Sequence, residues 1–299
     1  MSNVRLVSPT IWRDYWELTK PRVVALMLLT AWVGMLLASP ADTFPWQAMI
    51  FGTIGIAFCA GSAAAINHLV ERHIDIHMRR TQSRPIAAGR VGPLQGMIFS
   101  LILGSAGLAI LIYLVNALTA WLTLISLVGY ALFYTLFLKR ATPQNIVIGG
   151  AAGAAPPLLG WTAVTGHIDP FGLLLVLIIF TWTPPHFWAL AIHRHEDYVK
   201  AKLPMLPVTH GIQFTKLCIL LYIVLLIGAT IFPYLTGFCG ITYLICALGL
   251  GVGFLYYGFL LYLSDDPKVA MSTFTYSIIY LMALFVGLLV DHYLHFFLN

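Results

Sequence analysis

Nine long apolar stretches constrain this sequence more than any other feature. A helix needs about 20 mainly apolar residues to cross the hydrocarbon core of a bilayer. Strands of a membrane barrel alternate in polarity and are about half as long, so these continuous stretches predict helices. The predicted spans cover residues 23–40, 46–66, 94–115, 118–138, 146–164, 171–192, 217–235, 241–263 and 272–295.

The composition indicates an integral membrane protein with a single domain, residues 1–299. Of its 299 residues, 60% are hydrophobic and 9% are charged. A soluble domain carries about 25% charged residues, so a soluble two-domain enzyme, a disordered protein and a conventional nucleic-acid binder are excluded. The first 22 residues lack an apolar core with a cleavage site, so no cleaved signal peptide is predicted. Four single cysteines are predicted to be small buried hydrophobic residues: Cys59, Cys218, Cys239 and Cys246.

The 16 lysines and arginines lie before the first predicted span and in alternate connections after it, whereas the intervening connections have none. Because cytoplasmic loops are enriched in lysine and arginine, this pattern predicts a cytoplasmic N-terminus and an external C-terminus. Two basic connections, residues 67–93 and 193–216, are each longer than 20 residues and rich in ionisable groups. The chemistry is therefore expected on the cytoplasmic side.

The first of these polar loops contains three oxygen-bearing side chains at intervals of four residues, Asn67, Glu71 and Asp75. If the second span continues through them as a helix, all three lie on one face. Such a set suits Mg²⁺, which takes one or two carboxylates and completes its shell with water and phosphate oxygens. Arg79 extends this series by four residues, and the flanking Arg80 and Arg84 are expected to bind phosphate oxygens through their guanidinium groups. The alternative interpretation is a solvated helix end with charge pairs.

The second polar loop follows the sixth span and has a related arrangement. His193 and Asp197 are four residues apart, as are Tyr198 and Lys202. The parallel suggests two halves that face one cavity, where the second half contributes the acids Glu196 and Asp197 and the lysines Lys200 and Lys202. Zinc is disfavoured, because the histidines are loosely spaced among carboxylates and arginines.

Two further features lie inside predicted spans. His186 follows Pro184 and Pro185, which are predicted to break or kink the sixth span. His186 is interpreted either as a hydrogen-bonded interior residue or as a contact to the substrate. The Gly149-Gly150 run of the fifth span predicts close helix packing, since it lacks the lysine and hydroxyl residue of a phosphate-binding loop.

Four segments resemble the UbiA superfamily of intramembrane prenyltransferases. The first is Asn67-x₃-Glu71-x₃-Asp75 with its continuation Met78-x-Arg80-Thr81-x₂-Arg84-Pro85. The others are LTKPR at 18–22, PHFWALAI at 185–192 and DY-x₅-PMLP at 197–207, and the last two resemble the branch that acts on haem. The resemblance covers essentially the whole chain. It implies nine transmembrane helices around a central cavity in the bacterial inner membrane.

The sequence departs from the superfamily pattern at three positions. Glu71 stands where the family often has aspartate, so the charge is kept on a longer side chain. His73 stands where a second acid is often found, which argues against metal ligation by that position. His193 stands where the second motif usually begins with an acid, so a second metal ion has weaker support than the first.

The resemblance implies transfer of a farnesyl group from farnesyl diphosphate to the 2-vinyl group of haem b, with addition of water, to give haem o. It implies Mg²⁺ on Asn67, Glu71 and Asp75, with Glu196 and Asp197 as further metal ligands. Asp197 and Tyr198 join the first three as catalytic residues, and Tyr198 and His186 are candidates for positioning the water. The residues expected to contact substrate are Lys20, Arg22, Arg79, Arg80, Arg84, His186, His193, Lys200 and Lys202.

The expected partners are membrane lipid and a protein that receives the product, either a haem A synthase or a terminal oxidase. Two other functions remain open from the sequence. A prenyltransferase for a quinone-precursor aromatic acid predicts two fully acidic motifs. A secondary transporter predicts charged residues near the bilayer midplane, whereas these charges cluster towards one face.

Overall fold

The computed structural model describes residues 12–76, 81–138, 141–201 and 203–298, and in these ranges the chain is helical with short connections. The helices are α1 (Trp12–Leu18), α2 (Pro21–Leu37), α3 (Thr53–Asp75), α4 (Pro93–Leu114), α5 (Ala117–Val128), α6 (Asn145–Ala154), α7 (Pro156–Thr165), α8 (Pro170–His193), α9 (His195–Lys200), α10 (Leu206–Thr209), α11 (Ile212–Leu235), α12 (Ile241–Leu263) and α13 (Pro267–Leu298). A π-helical segment, Ala48–Gly52, leads into α3, and another, Gly129–Leu138, continues α5.

Eight helical stretches within the described residues are long and apolar enough to cross a membrane. A ninth results if α1 and α2, which meet at an angle of 51°, are counted as one span. The prediction of an all-α, multi-pass membrane protein is therefore confirmed. Asn116 marks the break between the third and fourth spans, because its Oδ1 accepts from the Thr119 N–H at 2.9 Å and caps α5.

The prolines of the sixth span do not break it. The helix α8 runs without interruption from Pro170 to His193, so the predicted break at Pro184 and Pro185 is wrong, whereas the alternative of a kink stays a prediction. Prolines are tolerated in a transmembrane helix where neighbouring helices and threonine hydroxyls stabilise the surrounding turns. The Thr183 hydroxyl donates to the Ile179 carbonyl at 2.7 Å in this part of α8.

Two large apolar clusters form the core. The cluster of the second half contains the bulkiest fully buried side chains, which are Trp188, Tyr243, Tyr280, Phe254 and Phe285. The cluster of the first half is made of smaller residues and lets α2 approach α7 closely. A Cβ atom on Gly34 would overlap the Pro157 carbonyl, and one on Gly160 would overlap the Ala31 carbonyl.

Polar contacts join the helix ends at both sides of the bundle. At the side that carries the two polar loops, the Lys216 ammonium donates to the Ser264 carbonyl at 2.6 Å. At the other side, Asp291 of α13 accepts from the backbone N–H groups of Gly240 and Tyr243 and so caps α12. The candidate site lies at the first of these sides, where the end of α3 meets the junction of α1 and α2.

Candidate active site

The helix α3 continues beyond the apolar part of its span and ends at Asp75. The continuous helix places Asn67, Glu71 and Asp75 on one face, as the spacing predicts. Each of these three residues is at most 4% exposed. Carboxylates at this level of burial are unfavourable unless they are paired or bind a cation.

Two cationic side chains lie against this face and supply positive charge beside the two buried carboxylates. The Lys20 ammonium donates to Asn67 Oδ1 at 2.6 Å. One guanidinium nitrogen of Arg84 donates to both carboxylate oxygens of Asp75 at 2.8 Å and lies 3.5 Å from Glu71 Oε2. The structure therefore brings five of the predicted site residues together.

The return of the chain after α3 positions Arg84. The Thr81 hydroxyl donates to the Asp75 carbonyl at 3.1 Å, which ties the loop to the end of the helix. The Arg84 N–H then donates to the Thr81 carbonyl at 3.0 Å. These bonds form a compact turn from which the arginine reaches back to the acids of α3.

The donor set fits a hard divalent cation. It consists of one amide oxygen and two carboxylates, all buried and all on one face. Mg²⁺ commonly binds through one or two carboxylates and leaves positions for phosphate oxygens. Within the described ranges no three His, Cys, Asp or Glu side chains form a metal-binding group, so the fit depends on the Asn67 amide and on oxygens from a ligand.

The π-helical segment after α5 adds polar residues that were not identified from the sequence. The Asn67 amide donates to the Thr135 hydroxyl at 3.4 Å, and this hydroxyl donates to the Tyr130 carbonyl at 2.8 Å. The rings of Tyr130 and Tyr134 stack at a centroid distance of 5.5 Å. Both tyrosines interact electrostatically with Glu71. No spacing motif marks these residues, because they stand in a continuously apolar stretch.

Gly149 of α6 makes room for one of these rings. A Cβ atom at this position would overlap the Tyr134 ring. Gly150 faces the Thr183 side chain of α8, which a Cβ atom would meet at 2.9 Å. The prediction that this glycine run permits close packing is confirmed at both positions.

His68 is a further residue that was not identified from the sequence. It is 3% exposed, and neither of its ring nitrogens has a hydrogen-bond partner among the described residues. It interacts electrostatically with Lys20 and Arg84. A buried imidazole without hydrogen-bond partners is unfavourable, so we expect this ring to form a hydrogen bond when a ligand binds.

The second polar loop is arranged differently from the first. The helix α8 ends at His193, and a new helix, α9, begins at His195, so the spacing of four residues does not keep one face across this turn. Glu196 is 87% exposed at its side chain and pairs with Lys200 at 3.7 Å. Asp197 is half-buried. Its metal-binding role and that of Glu196 stay predictions.

Tyr198 of α9 is partly buried. It packs against the core cluster of the second half, and it interacts electrostatically with Tyr134. The predicted catalytic role of Tyr198 stays a prediction, as does the central cavity between the two halves.

His186 lies among aromatic rings inside the bundle. Its Nδ1 lies 2.7 Å from the Ser277 hydroxyl, and its ring stacks on Trp182 and Phe274 at centroid distances of 4.2 and 4.5 Å. This is the hydrogen-bonded interior position that the sequence allowed. A contact between His186 and the substrate stays a prediction.

The remaining predicted contacts to substrate lie apart or outside the described ranges. His193 Nδ1 donates to the Pro267 carbonyl at 3.2 Å, at the start of α13. Arg22 is exposed in the first turn of α2. Three predicted cationic residues lie outside the described residues: Arg79, Arg80 and Lys202.

The fold and the buried polar face define an intramembrane prenyltransferase. Residues 27–288 match the UbiA prenyltransferase family, and the chain belongs to this family. The chain is similar to the protoheme IX farnesyltransferase of Teredinibacter turnerae (strain ATCC 39867 / T7901), with 63% identity over 283 residues that cover 95% of this chain and 91% of the relative. The predicted resemblance to the branch that acts on haem is thereby confirmed.

Solved structures confirm the fold. A structure that concerns digeranylgeranylglyceryl phosphate synthase superimposes with a TM-score of 0.80 at 20% identity, covering 94% of this chain and 98% of that one. A UbiA homolog from Archaeoglobus fulgidus bound to GPP and Mg²⁺ superimposes with a TM-score of 0.63 at 15% identity, covering 92% and 99%. At these identities the likeness concerns the fold.

Proposed function

We propose that this protein transfers a farnesyl group from farnesyl diphosphate to the 2-vinyl group of haem b, with addition of water, and releases diphosphate and haem o. The observation that carries the proposal is the buried face of Asn67, Glu71 and Asp75 flanked by Lys20 and Arg84. The identity of 63% to a protoheme IX farnesyltransferase supports both the farnesyl donor and the haem acceptor.

The cations of the site suit a diphosphate. The guanidinium of Arg84 can bind two phosphate oxygens at once, and the Lys20 ammonium acts as a compact positive charge. A Mg²⁺ ion held by Asn67, Glu71 and Asp75 would neutralise negative charge on the leaving diphosphate. The A. fulgidus homolog bound to GPP and Mg²⁺ supports this cofactor.

The reaction breaks the bond between C1 of the farnesyl group and the diphosphate oxygen, and the electron pair leaves with the diphosphate. A new bond joins C1 to the terminal carbon of the vinyl group. The hydroxyl of a water molecule adds to the other vinyl carbon, and its second proton is released. Stacked tyrosine faces attract positive charge, so Tyr130 and Tyr134 are placed to stabilise the farnesyl cation beside Glu71.

The apolar bundle protects the reaction from unwanted water. A cation formed in contact with bulk water would be captured before it reached haem, so exclusion of water favours transfer. One water molecule must still reach the porphyrin, and we assign its positioning to Tyr198 and His186. The second polar loop completes the diphosphate site with Glu196, Asp197, Lys200 and Lys202 in this proposal.

The proposed location is the bacterial inner membrane, with the active site facing the cytoplasm. The confinement of lysine and arginine to alternate connections supports this orientation. The product is a membrane-bound haem, so we propose its transfer to a haem A synthase or a terminal oxidase.

The proposal is tested with the purified protein in detergent, supplied with haem b, farnesyl diphosphate and Mg²⁺. Mass spectrometry of the extracted pigments should find a haem heavier by one farnesyl group and one hydroxyl group. Asp75→Asn should abolish this product, and the matched control Asp42→Asn, at an exposed position far from the site, should retain it. Folded protein that yields no such haem would refute the proposal, and full activity of Asp75→Asn would refute the metal site.

A further inference from the structure

The backbone of Lys20 is held in an unusual conformation. Lys20 joins α1 to α2 with φ 51° and ψ 58°, in the left-handed region. It is the one non-glycine residue with a positive φ in the described parts of the chain. Residues with a side chain adopt this conformation when their surroundings enforce it, and such positions cluster at functional sites. The Lys20 ammonium is also the group that contacts Asn67, so α1 must be held in place for this contact to form.

An arginine of the loop before α4 holds α1. Arg90 Nε donates to Asp14 Oδ1 at 2.7 Å, and its Nη2 donates to Glu17 Oε2 at 3.3 Å. Asp14 is buried despite its charge. Leu18, at the end of α1, is fully buried in a small apolar cluster with α3 and the same loop. Ion pairs from Arg90 to both acids thus hold α1 in position above an apolar contact.

The same loop also holds Arg84 at the site. The Pro85 carbonyl accepts from the N–H groups of Arg90 and Val91 at 2.9 and 3.1 Å, and the Arg84 carbonyl accepts from Ala88 N–H at 2.8 Å. These bonds make the segment from Arg84 to Val91 compact. One of its arginines reaches the acids of α3, and the other reaches the acids of α1. The loop therefore couples the position of α1 to the site.

We propose that the Asp14–Arg90 ion pair is a latch that positions Lys20 against Asn67 and thereby sets the affinity of the site for diphosphate. The proposal rests on the assignment of this site to a prenyl diphosphate. Without the latch, the backbone at Lys20 relaxes out of the left-handed conformation and withdraws the ammonium group. Asp14 and Arg90 are positioning residues, since they act through Lys20.

The test measures binding of inorganic pyrophosphate with Mg²⁺ to the full-length protein in detergent, by isothermal titration calorimetry. Asp14→Asn and Arg90→Gln are each expected to weaken binding about fivefold, the effect of losing one partly exposed ion pair. Arg90→Lys keeps the charge and should recover part of the affinity. Arg13→Gln, on the exposed face of the same helix, should bind as the wild type does.

The decisive comparison uses a Lys20→Gln background. There, Asp14→Asn should cause no further loss of pyrophosphate affinity, because the latch acts through Lys20. A further fivefold loss in that background, or unchanged binding by Asp14→Asn in the otherwise wild-type protein, would overturn the proposal. If Asp14→Asn fails to fold by circular dichroism, Arg90→Lys provides the same comparison. Wild-type protein that binds pyrophosphate but does not farnesylate haem would contradict the proposed function and leave the latch intact.

Discussion

Replacement of Arg84 by glutamine is expected to destabilise the protein when no substrate is bound. Arg84 is the described side chain whose guanidinium contacts both carboxylates of the site, at 2.8 Å from Asp75 and 3.5 Å from Glu71. Both acids are buried, so removal of the arginine leaves negative charge without this compensation. Glutamine keeps much of the length of the side chain but supplies no charge.

The magnitude follows from the burial of the pair. Removing one partner of a buried ion pair destabilises a protein by about 3–5 kcal/mol. The Arg84 side chain is 15% exposed, which places the expected loss near the lower limit, about 3 kcal/mol. In chains somewhat smaller than this one, each kcal/mol lost from the free energy of unfolding lowers Tm by about 2–4 °C. The expected decrease in Tm is therefore roughly 6–12 °C.

Thermal unfolding in detergent, followed by far-UV circular dichroism, measures this effect. The matched control is Arg72→Gln, because Arg72 donates to the Leu69 carbonyl of its own helix and should lower Tm little. The double variant Arg84→Gln, Asp75→Asn should be more stable than Arg84→Gln alone, since the second change removes the uncompensated charge. Equal Tm values for the Arg84 and Arg72 variants would refute the reasoning.

Three further predictions concern single side chains. Gly149→Ala should displace the Tyr134 ring and lower haem farnesylation by tenfold or more in the mass-spectrometric assay, whereas Gly153→Ala, where a Cβ atom meets open space, should not. His68→Leu should keep or raise Tm without ligand, because neither ring nitrogen has a hydrogen-bond partner in the described part of the chain, but should reduce the gain in Tm on addition of Mg²⁺ and pyrophosphate. Burial raises the pKa of the Cys239 thiol to about 12. Alkylation by iodoacetamide should therefore be slow at pH 8 and accelerate as the pH approaches 12, and peptide mass spectrometry measures its rate. Rapid alkylation of the folded protein at pH 8 would contradict this prediction.

The part of the site on α3 was predictable because helix geometry converts a spacing of four residues into one face. This prediction requires that α3 continue as a helix to Asp75, and it does. The contact of Lys20 with Asn67 joins residues 47 positions apart, and no local pattern specifies such a pair. It depends on the left-handed turn at Lys20 and on the arginines that hold the loop.

The prediction was least informative where the helix is interrupted. The spacing of four residues between His193 and Asp197 does not place them on one helix face, because α8 ends at His193 and α9 begins at His195. The π-helical segment after α5 has a wider turn than an α-helix, so the face on which Tyr130, Tyr134 and Thr135 lie does not follow the ordinary periodicity. Such segments are frequent at functional sites, and this one contributes a hydroxyl partner to Asn67.

Charge balance explains why the site should bind metal and diphosphate together. In the structure the two carboxylates of α3 are matched by Arg84 and Lys20, so these four charges are balanced. A divalent cation alone would add positive charge to this set, and a diphosphate alone would add negative charge beside Glu71 and Asp75. When both are present, the cation can bind the carboxylates and Arg84 can turn to the phosphates, which leaves less buried charge uncompensated than either ligand leaves alone. Binding of each should therefore strengthen binding of the other by the same factor.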